Sequence, residues 1–598
     1  MRLFRTAMFS PFTYLNITQF LGAMIDNIYK LLIVYFFIEI EGIEHSPLIL
    51  ATTGAIFVLP FLLFSSFAGM LADRFSKSRI IIGTKLLEFV IVLLGLFAFT
   101  YSSKLGAYCV LFLLATQSAL FSPSKYGILP DLMPPERISS ANGSMTSCTY
   151  LAIILGTFLA SFLLDITGKS FLFAGIFCIF ASLLGLFTSI CIRYTSSSGF
   201  HKSFSPHFLS QIYKTLKMAM LEPSLLACIL GSAFFLFLAA YVQMNIIPFA
   251  VYSLHLTDVQ GGYLFLLTAI GIGTGSLIAG KISGKMVELA LPPLAALGIT
   301  ISFYALSYFG ESLTVCIPLV VIIGLFGGLY LVPLDSYVQI ASPKQYIGQA
   351  VAASTFLSFF GVLCASALLY LLSLLGYTAA QGFLVLGNLT LCIAVVYGFL
   401  FFDYVTRFVG LLLSRLHFSI TFRGQEHIPQ SPAIYICTHT AWNDTLLLLG
   451  AQRRRMRFFI EREQEHTKWL KRLYRLLRVV LIPEIEPLEN NQACLEAIKE
   501  TLEKGISVCI FIDCTNVEGA VQRLKQAPLM QKLIQEKNHS ILLSQIDKGT
   551  KGSPPRFFRW LLNKCHVPAT VSFEVVEAVE TAQSEESAHH FPWNPKKS

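Results

Sequence analysis

The sequence predicts a polytopic α-helical membrane protein with twelve spans in two six-helix halves, followed by a C-terminal α/β domain outside the bilayer. Three observations carry this. Hydrophobic residues make up 55% of the 598 and charged residues 13%, against roughly 25% charged in a soluble globular domain. The charge is unevenly placed, because residues 1–402 read as apolar blocks separated by short turns while 403–598 are rich in Arg, Lys and Glu. The connecting loops of the first part then divide sharply by sign, which gives the bundle a direction.

The apolar blocks fall at 12–39, 48–72, 80–101, 105–122, 143–165, 171–193, 224–252, 259–280, 289–309, 313–334, 348–374 and 378–402. Each is long enough to cross a hydrocarbon core of about 30 Å. The first carries Asn, Gln, Asp and Lys, outruns the apolar core of a signal peptide and lacks a small-residue cleavage site, so it is expected to stay in the mature chain. If the N-terminus is cytoplasmic, Arg2, Arg5, Arg74, Lys77, Arg79 and the later basic loop residues to Lys344 lie inside, while the outer loops hold only Lys104 and Lys169. An even number of spans returns the basic C-terminal part to the same side. The expected location is therefore a multi-pass cell (inner) membrane with both the N-terminus and the C-terminal domain cytoplasmic.

The longest loop, 194–223, separates six spans from six. Two such halves suit a transporter that rocks one bundle against the other around a midplane site. A turn recurs in both, Gly69-Met-Leu-Ala-Asp73-Arg74 after the second span and Gly275-Ser-Leu-Ile-Ala-Gly-Lys281 after the eighth. Charges within spans cost at least about 2.5–3.5 kcal/mol each at a helix centre, which marks them for attention. Asp26 and Lys30 stand four apart on the first span and so share a face; they either neutralise each other or, with Asn27, face a cavity and contact cargo. Lys85 and Glu88 are expected near the inner end of the third span, where side chains snorkel; they are either structural or functional, with Glu88 a candidate for the transport cavity or its gate. Asp73 and Arg74 are expected to make salt bridges between the halves and helix-end contacts, structural or gating, without touching cargo. Thirteen cysteines without C-x-x-C spacing read as reduced thiols filling apolar space, and no metal site is expected.

The pattern Gly69, Asp73, Arg74, Lys77, Arg79 resembles the loop signature of the major facilitator superfamily. Gln19-Phe-Leu-Gly-Ala-Met-Ile-Asp26-Asn27, Phe121-Ser-Pro-Ser-Lys125-Tyr-Gly-Ile-Leu-Pro130-Asp131, Ala141-Asn142-Gly143 and Gly328-Leu-Tyr-Leu-Val-Pro333-Leu-Asp335 look like its lysophospholipid transporter branch. The resemblance covers about residues 8–402 and implies a lysophospholipid flipped toward the cytoplasmic leaflet.

After a connector at 403–417, short apolar runs read as strands at 433–438, 456–460, 479–482, 506–512, 540–546 and 570–576. Amphipathic runs between them read as helices at 444–452, 463–477, 490–503 and 517–537. The alternation predicts an α/β sheet, in a domain spanning 418–580, and the polar tail 581–598 is expected to be disordered. Thr438-His439-Thr-Ala-Trp-Asn443-Asp444 follows a strand and opens a helix. With His439 on the turn and Asp444 in the first helical turn, the two can meet. An Asp accepting from one ring nitrogen leaves the other to take a proton from a substrate hydroxyl. The plain alternative is a turn histidine beside a helix cap at Asn443 or Asp444.

This stretch resembles the first motif of the glycerolipid acyltransferase family, of 1-acylglycerol-phosphate type, over about 418–580. That likeness implies a catalytic pair, His439 and Asp444, and an acyl donor in the form of an acyl carrier protein or coenzyme A thioester. Its third motif is altered: Phe511-Ile-Asp513-Cys514-Thr515-Asn516 has Asp for Glu, Cys for Gly and Asn for Arg, which removes a bidentate phosphate partner. Asp513 and Thr515 remain as substrate-binding candidates, with Arg453 and Arg457 as a replacement phosphate site. The second motif lacks its arginine in Val480–Ile485, and the fourth lacks its proline in Leu542–Asp547.

A basic amphipathic run, Lys468 to Arg478, is expected to lie on anionic lipid. No P-loop or dinucleotide fingerprint occurs, so a separate enzyme is expected to activate the acyl group. The net charge of +9 points to lipid headgroups and not to nucleic acid, and no bound cofactor is expected. The resulting expectation is a lysophospholipid transporter coupled to re-acylation of its cargo. Two alternatives stay open: a transporter whose C-terminal domain is a degenerate lipid-binding or regulatory module, and a transporter of an unrelated small solute.

Overall fold

The computed structural model describes residues 9–197, 208–284, 286–424, 427–429, 431–438, 447–448, 456–461, 480–482, 492–503, 505–512, 540–548 and 567–577. The chain forms two compact units, Met1–Phe401 and Phe402–Ser598.

The first unit is a helical bundle: α1 (Pro11–Glu41), α2 (Ser46–Arg74), α3 (Lys77–Thr100), α4 (Lys104–Gly127), the single turn α5 (Leu129–Leu132), α6 (Ile138–Ile166), α7 (Phe171–Ile190), α8 (Phe208–Ala219), α9 (Pro223–Leu254), α10 (Asp258–Ser283), α11 (Leu291–Phe309), α12 (Leu313–Ala341), α13 (Ile347–Leu374) and α14 (Ala379–Leu400). Twelve of them are long and apolar enough to cross a membrane. Local chemistry sets several starts. Ser10 accepts from the Thr13 amide with Pro11 in the first turn, and Thr257 with Gln260 and Thr378 with Gln381 close reciprocal capping boxes.

Several spans run past their expected ends, the tenth to Ala341 and the fourth to Gly127. In the fourth, Lys125, which reads as loop, lines a cavity from the continuing helix together with Ser122. The long loop also contains a helix that its polar composition hides, α8, whose Ile212, Thr215 and Ala219 are buried against the bundle.

Glycines set the closest helix crossings. Gly271 and Gly275 on α10 face Gly324 and Gly328 on α12, and a Cβ at any of the four would collide with backbone of the other helix. These are small-xxx-small faces that let backbones touch. Between the halves, Gly69 of α2 lies on Gly348 and Ala352 of α13, and Gly143 of α6 lies on the Ser276 carbonyl of α10. The repeated turn is therefore only partly equivalent: Gly69 packs across the halves, whereas Gly275 packs inside its own, and Gly280 takes the cross-half role against Ser139.

In the second unit, the segment expected as a connector is helical, α15 (Phe402–His417), and leads into β1 (Phe418–Arg423), β2 (Ile434–Thr438), β3 (Met456–Glu461), β4 (Val480–Ile482), α16 (Gln492–Glu503), β5 (Ser507–Ile512), β6 (Ile541–Lys548) and β7 (Val567–Glu577). The seven-stranded sheet has the order β1-β7-β6-β2-β5-β3-β4. Every pairing is parallel except β6 with β7. Strand β1 was not expected, although Phe418, Ile420 and Phe422 alternate with polar residues. Tyr435, Cys437, Phe458, Cys509, Phe511 and Leu542 form its core, covered by Leu447 and Leu448. The expected helices at 463–477 and 517–537, most of 444–452, the basic run 468–478 and the tail lie outside the described residues.

Candidate functional site: a charged cavity between the halves

A cavity of about 480 Å³ lies between the halves, walled by α1, α2, α3, α4, α6, α9, α12 and α13. Helix α1 brings Asp26, Asn27 and Lys30 to it. Asp26 does not pair with Lys30. Its Oδ2 accepts from Ser118 of α4 at 2.6 Å, and the Lys30 ammonium stands over the Phe57 ring at 5.3 Å. The mutual-neutralisation reading of that pair is thereby corrected: a neighbouring helix supplies a partner to each. Asn27 also lines the cavity, while its amide donates back to the Ala23 carbonyl at 2.7 Å.

Lys85 and Glu88 depart furthest from expectation. Helix α3 begins at Lys77, so the pair sits well inside the span rather than at its end, and neither side chain snorkels. Lys85 Nζ and Glu88 Oε2 are 2.6 Å apart, with side-chain exposures of 0% and 1%. Gly22 of α1 makes the room, since a Cβ there would strike the ammonium. Ser182 donates to the other Glu88 oxygen at 3.4 Å. Lys125 lies over the rings of Tyr126 at 4.8 Å and Phe121 at 5.7 Å. From the second half, Asp335 accepts from Ser232 at 2.7 Å. Carboxylates and ammonium groups thus line one low-dielectric space, where each acts more strongly than it would in water.

A second cavity of about 390 Å³ shares Asn27, Lys30, Tyr150, Phe235 and Gln243 with the first, and continues it between α1, α6, α9, α10, α11 and α12. Its own lining, including Leu31, Val34, Phe265, Ile299 and Phe303, is apolar apart from Thr157 and Thr268. A chamber that carries charged side chains therefore opens into a greasy slot.

Asp73 and Arg74 lie outside the cavity, at one end of the bundle. Asp73 is fully buried and accepts from the backbone amides of Gly348 at 2.7 Å and Gln349 at 2.9 Å, and from the Gln349 side chain at 3.2 Å. It caps the N-terminus of α13 from the other half, where a carboxylate satisfies otherwise orphaned N–H groups. Of the expected contacts between the halves, Asp73 makes the helix-end one. Arg74 is exposed beside Phe75, while Lys77 pairs with Asp131 at 2.9 Å. A second latch was not foreseen: the side-chain amides of Asn142 on α6 and Gln339 on α12 bond each other reciprocally at 3.0 Å, both buried. Gln339 also lines the cavity floor.

Ser118, Lys125, Ser232, Asp335 and Gln339 were not singled out from sequence as cavity residues. Lys125 and Asp335 lay in stretches already quoted. Their signal was a polar side chain inside a helix-length block, the criterion that had marked Asp26.

In the second unit, β2 and β5 are neighbours and end in register, Thr438 beside Ile512. His439 and Asp513 are the next residues along the chain. His439, Asp444, Arg453, Asp513 and Thr515 lie outside the described residues. Arg457 is described and sits at the start of β3, in register with Val508 and, through it, Ile434. That is four residues, or about 13 Å, from the level of Thr438, toward the opposite end of the sheet.

Comparison with known proteins matches residues 15–366 to the Major Facilitator Superfamily. The chain belongs to the major facilitator superfamily. Residues 419–540 match the Acyltransferase family, so a major facilitator domain is joined to a C-terminal acyltransferase-family domain, as the two sets of motifs implied. A Photorhabdus laumondii protein named lysophospholipid transporter LplT is 26% identical over 310 residues, 50% of this chain and 72% of its own. Its Cronobacter sakazakii namesake is 27% identical over 290 residues, 48% of this chain and 69% of its own.

Among solved structures, the human organic anion transporter MFSD10 (TETRAN) superimposes with a TM-score of 0.55 at 16% identity, over 65% of this chain and all of that one. A bacterial homologue of the iron transporter ferroportin in its outward-facing state gives 0.53 at 13%, over 67% of this chain and all of its own. At those identities the likeness is one of fold.

Proposed function

We propose that the major facilitator domain moves a lysophospholipid from the outer to the cytoplasmic leaflet, and that the C-terminal domain re-acylates it there. The observation that carries the transport reading is the shape and polarity of the joined cavities. A charged chamber continuous with an apolar slot matches a molecule with one polar headgroup and a single acyl chain, whereas a small polar solute leaves the slot unfilled. Lysophospholipid transporters among the relatives support the same cargo. Lys30 and Lys125 offer positive charge to a phosphate, and Asp26 and Asp335 offer acceptors to hydroxyl or amino groups. The Asp73 and Asn142–Gln339 latches close the end that the loop charges assign to the cytoplasm, so the cavity as described would take cargo from the outer side.

For re-acylation, His439 takes the proton of the free glycerol hydroxyl, whose oxygen attacks the carbonyl carbon of an acyl thioester; the thiolate leaves and recovers a proton. Asp444 orients the imidazole. Arg453, Asp513 and Thr515 are the candidates for holding the substrate, and Arg457, low on its strand, is the weakest of that group. The donor is a thioester of acyl carrier protein or coenzyme A made by another enzyme, and the membrane is the cell (inner) membrane with both termini cytoplasmic. A second reading is favoured by one observation: the Asp513-Cys-Thr515-Asn sequence, which lacks the arginine of the family's third motif, suits a lipid-binding module without catalysis.

One experiment separates the readings. Proteoliposomes containing the protein receive headgroup-labelled lysophospholipid and a labelled acyl thioester. The expected result is inward movement of lipid together with diacyl product, with product lost in His439→Ala and movement retained. Movement without product in the wild type leaves the second reading, and absence of movement refutes lysophospholipid as cargo.

A further inference from the structure

Helix α8 joins the two halves, and its surface divides into three. Ile212, Thr215 and Ala219 are buried where it packs on α2 and α13. A second stripe, Leu209, Tyr213 and Met220, recurs at helical spacing with exposures of 59%, 64% and 60%, and Leu221 follows it at 72%. Lys214 and Lys217 are exposed beside that stripe. An exposed aromatic and aliphatic stripe flanked by lysines is the surface of a helix lying in a membrane interface, with its apolar side in the acyl boundary and its ammonium groups among phosphates.

Two further observations fix what such a surface would control. The helices under α8 are α2 and α13, the pair joined by the Asp73 cap. Directly after α8, Glu222 accepts from the Tyr337 hydroxyl of α12 at 2.5 Å, which ties its C-terminal end to the helix that carries Gln339. Helix α8 therefore spans both halves at the latched end, and α9 follows within the same short turn as a membrane span, so the helix cannot lie far from the headgroups.

We propose that α8 is a docking element for the anionic lipid surface of the membrane, and that its docking holds the latched end of the bundle closed. Charge complementarity selects the lipid: Lys214 and Lys217 point away from the protein core, and the helix has no acidic residue. The role is independent of which cargo the cavity takes.

The test is amide hydrogen exchange of the full-length protein in nanodiscs of phosphatidylcholine, with and without phosphatidylglycerol. Anionic lipid slows exchange in 208–221, by about fivefold per lysine or up to roughly 25-fold for both, and slows the Gly348 and Gln349 amides in parallel. Lys214→Gln/Lys217→Gln abolishes the lipid dependence, while Lys344→Gln, which removes an exposed charge between α12 and α13, preserves it.

Equal exchange in both membranes overturns the proposal, including the case in which α8 is protected in both because another part of the chain covers it. A double variant that exchanges faster in both membranes yet keeps the lipid dependence overturns it as well, because that is a purely structural role. Loss of the dependence in Lys344→Gln assigns the effect to diffuse charge and overturns it too. Slowing in 208–221 without slowing at Gly348 and Gln349 refutes the link to the latch.

Discussion

Replacing Asp73 with Ala should release the closed end of the bundle. The carboxylate accepts two backbone amides and one side-chain amide of the opposite half. Its removal leaves the Gly348 and Gln349 N–H groups without their acceptor at a helix start. Each buried donor left unsatisfied costs about 1–3 kcal/mol, and water entering at the bundle end recovers part of that. A net cost of about 2–3 kcal/mol to the closed state corresponds to a shift of about 30- to 150-fold toward open. Asp73→Asn keeps one oxygen for the Gly348 amide but turns an N–H toward that of Gln349, so it should fall between. The assay is amide exchange at 347–350 in full-length protein in nanodiscs, read beside a distant segment of α11. Exchange within twofold of wild type in Asp73→Ala would refute the claim that this cap holds the halves together.

Three other expectations follow from the packing. Lys85→Met leaves Glu88 charged and buried and should cost about 3–5 kcal/mol, whereas Lys85→Met/Glu88→Leu should recover most of it; thermal unfolding of the purified variants measures both, and additive losses would contradict the pairing. Gly275→Val pushes side-chain atoms into the Leu325 backbone and should cost at least about 1–3 kcal/mol, while Gly262→Ala, with nothing within 4 Å, should be neutral in the same assay. Burial, and then the neighbouring Cys437, push the Cys509 thiol well above its ordinary range, so it stays neutral and unreactive at pH 7. Maleimide should label Cys509 only after the domain unfolds, and rapid labelling of the native protein would show that the sheet core is open.

The sequence was most informative where a long pattern repeats. Twelve apolar blocks and a sheet of β-branched and aromatic runs are dictated by burial over many residues, so each is visible without any partner. Single contacts were less legible. Asp26 looked paired with Lys30 because four-residue spacing is a property of one helix, but Ser118 stands ninety-two positions away and only the packing of α4 on α1 brings it near. Lys85 and Glu88 read as snorkelling residues because Lys77 reads as loop; the helix begins at Lys77, whose charge pairs with Asp131. Helix α8 stayed hidden because, among its described side chains, the buried face is Ile212, Thr215 and Ala219 alone, set in a Ser-rich and basic loop. In the second unit the strand leading to His439 and its parallel neighbour were legible from their apolar runs. The in-register ends of β2 and β5 were not, because register is a relation between distant strands.

The glycine crossing of α10 on α12 has a mechanical consequence. Two helices whose backbones already touch cannot slide past one another by the width of a methyl group, so they must travel as one rod. Asp335 and Gln339 stand one turn apart on that rod, one in the cavity wall and the other clasping Asn142. On the proposed cargo site, a cargo held at Asp335 would act one helical turn from that clasp, with no relay of intervening side chains needed between them.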